Sequence, residues 1–245
     1  MHQKIGLKVA TSYSPNFNLP KRVENRIKFI IIHYTGMKKE SASIKRLQDP
    51  KSKVSSHYLI KRNGKIINLV PDLYEAWHSG VSSWKNFKSL NKNSIGIEIT
   101  NPGHQHGYKR FSKRQIFSLQ KLLKILVKKY RIKKKYILGH SDVAPGRKKD
   151  PGEKFPWHRL SKEGFCIWHK LKKKNLEKSR KLSLSNFDKK IFIDNLNKIG
   201  YNCDKVYRND VKQRLFTIAF QRRFRQELVD GKIDKECLLI SKNLI

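Results

Sequence analysis

The chain has 245 residues, room for one medium-sized domain and a smaller one, and its 38% hydrophobic content can fill a core. A formal charge of +37, from 56 Lys+Arg against 19 Asp+Glu, favours contact with polyanions, although the lysines are spread through nearly every segment as part of a general Lys, Ile and Asn bias. Cys166, Cys203 and Cys237 are odd in number and widely spaced, which argues against a disulfide framework or a thiolate cluster, and no apolar run reaches the roughly 18 residues a membrane span needs.

Residues 1–26 hold Pro15, Pro20 and several Asn and Ser, and read as irregular. Ile27–Ile32 is apolar and largely β-branched apart from Lys28, the pattern of a strand buried on both faces. Residues 41–50 read as a short helix stopped at Pro50. Asn63-Gly64 separates two strand-like runs, His57–Arg62 and Lys65–Val70, and predicts a two-residue hairpin with positive φ at both turn positions. Ser94–Thr100 alternates, with Ile95, Ile97 and Ile99 on one face and Gly96, Glu98 and Thr100 on the other.

Ser112–Tyr130 is the clearest helix, with an apolar stripe from Ile116 to Tyr130 and a capping box from Ser112 and Gln115. Tyr136–Leu138 is the next strand. Strands interleaved with helices predict an α/β fold, a mixed central sheet flanked by helices. From Leu171 the chain turns polar and lysine-rich. Helical patterns then follow at Lys189–Ile199, Asp210–Val229 and Lys235–Asn243, with Gly200 and Gly231 as stops. The division expected is 1–172 as the main domain, 173–185 as a linker and 186–245 as a small all-α three-helix domain.

Three donors stand out. His33 ends the run Phe29–Ile32, His140 follows Tyr136–Gly139, and a Pro/Gly-rich loop then delivers Asp150. Two imidazoles and one carboxylate are the donors of a zinc site with one coordination position left open. Each residue also has a plainer reading. A strand-end His is often polar punctuation, and Asp150-Pro-Gly152 is by itself a turn signal; spacing alone does not choose. Glu98 is either an ordinary solvent-facing carboxylate or one aimed into a cleft, where it could take a proton from water. Lys148 projects to the same side of an extended loop as Asp150 and could stabilise an oxyanion there, or be one more solvated lysine. His57 and His78 compete as donors. His78, beside Trp77, reads as substrate-contacting or structural rather than metal-binding, while His104, His106, His158 and His169 carry no strong signal.

Five blocks in order carry a family resemblance: Ile31-Ile-His33-Tyr-Thr35, Ser55-Ser-His57-Tyr-Leu-Ile-Lys-Arg-Asn-Gly64, Ala76-Trp-His78-Ser-Gly80, Asn93-Ser-Ile-Gly-Ile-Glu98 through Gly103, and Gly139-His140-Ser-Asp142 with Lys148-Lys-Asp150-Pro-Gly152. Residues 25–160 resemble the type 2 zinc N-acetylmuramoyl-L-alanine amidases. The resemblance implies one zinc ion on His33, His140 and Asp150, Glu98 as catalytic carboxylate, and Lys148 as the lysine that aids the tetrahedral intermediate. It implies a substrate cleft with Trp77, His78, Asn101 and Arg147, and hydrolysis of the amide between N-acetylmuramic acid and L-alanine in peptidoglycan or muropeptides. The Asn101–Tyr108 stretch is similar to the branch that acts on intact wall polymer. Leu196–Tyr201, Ala219-Phe-Gln-Arg-Arg-Phe224 and Val229–Asp234 resemble the three-helix peptidoglycan-binding domain appended to wall hydrolases.

Two other classes compete with this reading. A non-catalytic peptidoglycan recognition protein on the same scaffold would commonly lack part of the ligand set, which is complete here. A nucleic-acid binder is suggested by charge alone, with no stacking motif, finger spacing or concentrated basic helix beside it, so no specific nucleic acid is expected as partner. The chain is expected to act as a monomer. Its compartment is open: the first ten residues lack a signal-peptide apolar core, which favours the cytoplasm, and a wall-binding module favours the cell envelope.

Overall fold

The computed structural model describes residues 9–203 and 209–245. Ten strands are present among them: β1 (Val9–Thr11), β2 (Phe17–Asn18), β3 (Phe29–Tyr34), β4 (Tyr58–Ile60), β5 (Ile66–Asn68), β6 (Glu75–Ala76), β7 (Ser83–Trp84), β8 (Phe87–Lys88), β9 (Ser94–Ile99) and β10 (Ile137–Gly139). Eight α-helices accompany them: α1 (Glu40–Gln48), α2 (Lys113–Tyr130), α3 (His140–Val143), α4 (Trp157–Lys162), α5 (Lys173–Ser179), α6 (Asn186–Ile199), α7 (Asp210–Phe224) and α8 (Lys235–Leu244). The main sheet runs β1-β5-β4-β9-β3-β10. It is parallel except for the antiparallel β4–β5 pair, so the expected mixed sheet flanked by helices is the observed one.

Residue alternation along the central strands decides what covers each face. Ile30 and Ile32 of β3 and Ile95, Ile97 and Ile99 of β9 pack with Leu119, Leu122, Leu123 and Leu126 of α2. Phe29 and Ile31 of β3 and Leu138 of β10 face the other way, into a core shared with Phe192, Leu196, Phe220, Phe224 and Leu238 of α6, α7 and α8. The C-terminal helices therefore cover the second face of the sheet. The expected capping box of α2 is formed, with Gln115 N–H donating to Ser112 Oγ at 3.1 Å and Ser112 N–H to Gln115 Oε1 at 2.9 Å.

Several local expectations are corrected. The first eight residues, read as irregular, lie outside the described ones, but β1 is an edge strand parallel to β5 and β2 pairs with β6. Such short edge pieces need one partner each and leave no periodic pattern. The hairpin at Asn63-Gly64 forms with a longer loop: Gly64 N–H donates to Lys61 O, and only Gly64 of the pair has positive φ, at 87°. Residues 173–185, read as a linker, contain α5 with Leu176 buried. Helix α7 stops at Phe224 rather than Val229, because Arg225 leaves helical geometry and turns its guanidinium onto Leu228 O, Asp230 and Asp234. The three cysteines are free and buried, in keeping with the expectation of no disulfide framework, and pack as small hydrophobes.

Candidate active site

The site is built where three elements end. In β3 the alternation that buries Phe29 and Ile31 puts His33 on the same face, one step past the core. The β3–β9 register sets His33 beside Glu98, and β10 lies on the other side of β3. His140 is the residue at which β10 becomes α3, and the carboxylate of Asp142 caps the Gly139 N–H at 2.8 Å to hold that turn. The following loop is tied back by the Ser141 N–H, which donates to Asp150 O at 2.8 Å. Asp150 thus returns beside His140.

His33 Nδ1 lies 2.9 Å from His140 Nδ1, and both nitrogens lie 3.0 Å from Asp150 Oδ2. All three residues are buried. His140 Nε2 is 3.1 Å from Ser79 O, a carbonyl that can only accept, so Nε2 carries the hydrogen and a neutral ring leaves Nδ1 bare. A bare imidazole nitrogen facing a carboxylate oxygen at 3.0 Å is repulsive unless a metal ion or a proton lies between them. The donor set therefore fits a divalent cation, and it is the one such group of three or more His, Cys, Asp or Glu among the described residues. Burial first, then the neighbouring His140, pushes the His33 pKa down to about 4. Burial alone would raise Asp150, but the two imidazoles outweigh it and hold its carboxyl far below the usual range.

These groups open onto a cleft of about 590 Å³ lined by Glu98, Lys148, Trp77 and His78 among others. Glu98 Oε2 is out of contact with solvent and has no hydrogen-bond partner. Burial, then the charge of Asp150, raises its pKa to about 8, against the opposing pull of Lys148. No hydrogen bond or ion pair ties down the Lys148 ammonium among the described residues. Trp77 stands at the rim with its Nε1–H on Asn18 Oδ1. Arg147 donates to Ser79 O at 2.6 Å and to Val81 O at 2.7 Å, which spends part of its guanidinium on the cleft wall itself. His78 lines the cleft, but both its ring nitrogens are engaged by protein, Nδ1 at His33 Nε2 and Nε2 at Ser94 Oγ.

Asn101 is not brought to the cleft wall. It is buried and uses its amide on its own loop, donating to Lys109 O and accepting from Gly103 N–H. His57, the competing donor, sits deeper, accepting the Gly96 N–H at Nδ1. His104 and Tyr34 line the cleft although sequence reasoning passed over them; Tyr34 Oη meets His104 Nδ1 at 2.9 Å, and His104 Nε2 meets Glu153. Tyr34 could have been found as the neighbour of His33. His104 had no signal beyond its loop.

Asp142 also receives the C-terminal helices. Tyr201 Oη donates to its Oδ1 at 2.8 Å, and Arg223 donates to its Oδ2 at 2.8 Å and to Ile137 O at 2.9 Å. The Arg223 guanidinium stacks 4.0 Å from the Trp157 ring centroid. The turn that presents His140 is therefore braced from α7.

Residues 23–153 match the family described as N-acetylmuramoyl-L-alanine amidase. The sequence is 36% identical over 232 residues to N-acetylmuramoyl-L-alanine amidase AmiD of Escherichia coli (strain K12), covering 90% of this chain and 83% of that one. It is 35% identical over 164 residues to the 1,6-anhydro-N-acetylmuramyl-L-alanine amidase AmpD of Haemophilus influenzae, covering 60% of this chain and 86% of that one. The fold superposes on E. coli AmiD, solved in complex with the substrate anhydro-N-acetylmuramic acid-L-Ala-D-gamma-Glu-L-Lys, with a TM-score of 0.80 and 32% identity over 93% of this chain and 91% of that one. It superposes on AmpDh3 of Pseudomonas aeruginosa, solved with anhydromuramic pentapeptide, with a TM-score of 0.78 and 30% identity over 94% and 95%.

Proposed function

The chain belongs to the N-acetylmuramoyl-L-alanine amidase family, and from that premise we propose that it hydrolyses its amide with one zinc ion on His33, His140 and Asp150, Glu98 as general base and Lys148 as oxyanion partner. The enzyme is an amidase of muropeptides, which separates N-acetylmuramic acid from the L-alanine of the stem peptide. The observation that carries the metal reading is the convergence of three buried donor atoms, His33 Nδ1, His140 Nδ1 and Asp150 Oδ2, within about 3 Å of one another.

His33, His140 and Asp150 would hold the zinc ion, which would supply Lewis acidity for the substrate carbonyl and for the attacking water. Glu98 takes the proton from that water; its carboxylate lines the cleft beside the three donors. As water adds to the carbonyl carbon, negative charge grows on the former carbonyl oxygen, and the Lys148 ammonium offsets it. Glu98 then returns the proton to the leaving amine of L-alanine, so that the carbon–nitrogen bond breaks to give a carboxylate on the lactyl group and a free stem peptide. Trp77 and Arg147 border the space where the muropeptide lies.

The expected division, with a catalytic unit in 1–172 and a helical module in 186–245, is retained as part of this reading. The family match at 23–153 falls wholly within the first part. A wall-binding role for the module rests on its likeness to peptidoglycan-binding helices. A purely binding protein on this scaffold is disfavoured, because the donor set, a cleft carboxylate and a cleft lysine are all present.

Purified protein is to be analysed for metal and incubated with intact sacculi and with soluble anhydro-muropeptides, the products being read by mass spectrometry. One zinc per chain and release of intact stem peptide are expected, with the soluble fragments cleaved. Metal-free protein that retains full turnover, or a cut at another bond, would overturn the assignment.

A further inference from the structure

Behind His33 the contacts run inward through the protein. His33 Nε2 lies 3.1 Å from His78 Nδ1, His78 Nε2 lies 3.1 Å from Ser94 Oγ, and Ser94 Oγ lies 2.5 Å from Leu90 O. All four residues are buried. The far end sets the direction of every hydrogen. A carbonyl oxygen only accepts, so the Ser94 hydroxyl spends its hydrogen on Leu90. Ser94 Oγ is then left to accept, and His78 Nε2 must carry a hydrogen. A neutral imidazole has a single N–H, so His78 Nδ1 is bare and accepts from His33 Nε2. His33 Nδ1 is bare in turn, and it is the atom that faces Asp150 and His140.

We propose that His78 and Ser94 are positioning residues, which from the Leu90 carbonyl hold His33 in its Nε2–H tautomer and aim the Nδ1 lone pair at the metal. The inference rests on the reading of His33 as a zinc ligand. It gives His78 a task other than touching substrate. The seat for the ring is built into β9: a Cβ at Gly96 would overlap His78 Cγ, so the strand offers a bare backbone there. The ring stands edge-on to His33, with centroids 5.1 Å apart and an interplanar angle of 78°. His140 obtains the same orientation from one carbonyl, Ser79 O, whereas His33 obtains it through two side chains. The second ligand is thus directed by replaceable groups, and substitution can test it.

Imidazole nitrogen NMR on the zinc-loaded wild-type protein should report an Nε2–H tautomer at His78, whose bare Nδ1 accepts from His33. Zinc affinity, measured by competition against a chelating dye, should fall about 10–100-fold in His78→Leu, the loss typical when an outer partner of a ligand is removed. It should stay near wild type in His78→Asn, whose Oδ1 can accept where Nδ1 did. Ser94→Ala should weaken zinc binding less and mix the His78 tautomers. Wild-type zinc affinity in a folded His78→Leu protein, or an Nδ1–H tautomer at His78, overturns the relay while leaving the metal site intact. If His78→Leu does not fold, the wild-type tautomers and Ser94→Ala still decide. A wild-type protein that binds no zinc would instead remove the metal reading on which the relay depends.

Discussion

Glu98 occupies a strand position that shares its face with Ser94 and Gly96 rather than with the isoleucines, so its carboxylate enters the cleft instead of the α2 core. If it moves the protons, Glu98→Gln should retain one zinc per chain and lose roughly 10²–10⁴-fold in kcat, because the amide cannot take a proton. Equal turnover by the two proteins, measured on a soluble muropeptide, would remove Glu98 from the mechanism. Lys148 acts, in the same reading, on charge present only near the transition state. Lys148→Met should therefore lower kcat by about 10²–10³ with little change in KM. A rise in KM alone would mark it as a binding residue. Both positions could be singled out in the sequence, yet neither could be given its direction there. Glu98 in an alternating strand and Lys148 in a lysine-rich chain each had an equally good solvent-facing reading.

At the scale of elements, Asp72 joins β4 to α2. It accepts from Tyr58 Oη at 2.5 Å, Tyr130 Oη at 2.6 Å and Lys129 Nζ at 3.1 Å. Burial would raise its pKa, but the Tyr130 and Tyr58 bonds and the Lys129 charge outweigh that and hold it below the usual carboxylate value. A lowered folded-state pKa means that the ionised form stabilises the fold above the unfolded value of about 3.9, and that this stability is lost as pH falls through the folded value. Urea midpoints of wild type and Asp72→Asn should thus differ by a constant amount from pH 7 to about pH 5 and converge below about pH 4. A gap that persists at the acid end would mean the ionisation of Asp72 is not the source. The strands and helices themselves were largely legible. Continuous isoleucines marked β3, alternation marked β9, and a capped apolar stripe marked α2, because each pattern reflects contacts made within one element. The short pieces β1, β2, α3 and α4 were missed, since their residues are held by partners distant in the chain.

Across the whole molecule, the sheet is closed on one face by α2 and on the other by α6, α7 and α8, and the Arg223–Asp142 pair pins the latter to the turn that carries His140. Both side chains are almost fully buried, at 2% and 1% exposure, so removing one partner strands a charge. Arg223→Met should lower stability by about 3–5 kcal/mol. Adding Asp142→Asn should recover part of it by removing the unpaired carboxylate. If denaturation of the single and double variants is superimposable, the pair has no such role. The C-terminal helices thus contribute to the catalytic fold as well as offering a surface of their own. Among the described residues no helix is long and apolar enough to cross a membrane.

The order of motifs along the chain determined the family resemblance, the mixed sheet and the identity of His33, His140 and Asp150, because residue type, strand-end position and turn chemistry are local properties. The tertiary structure alone decided that these three side chains meet within 3.0 Å, that His78 stands against His33 with both ring nitrogens engaged by protein, that Asn101 serves its own loop, and that Arg223 reaches the His140 turn. Those contacts join residues brought together by the packing of separate elements or by the return of a loop, and a periodic pattern read within one segment carries no information about which distant side chain will lie against it.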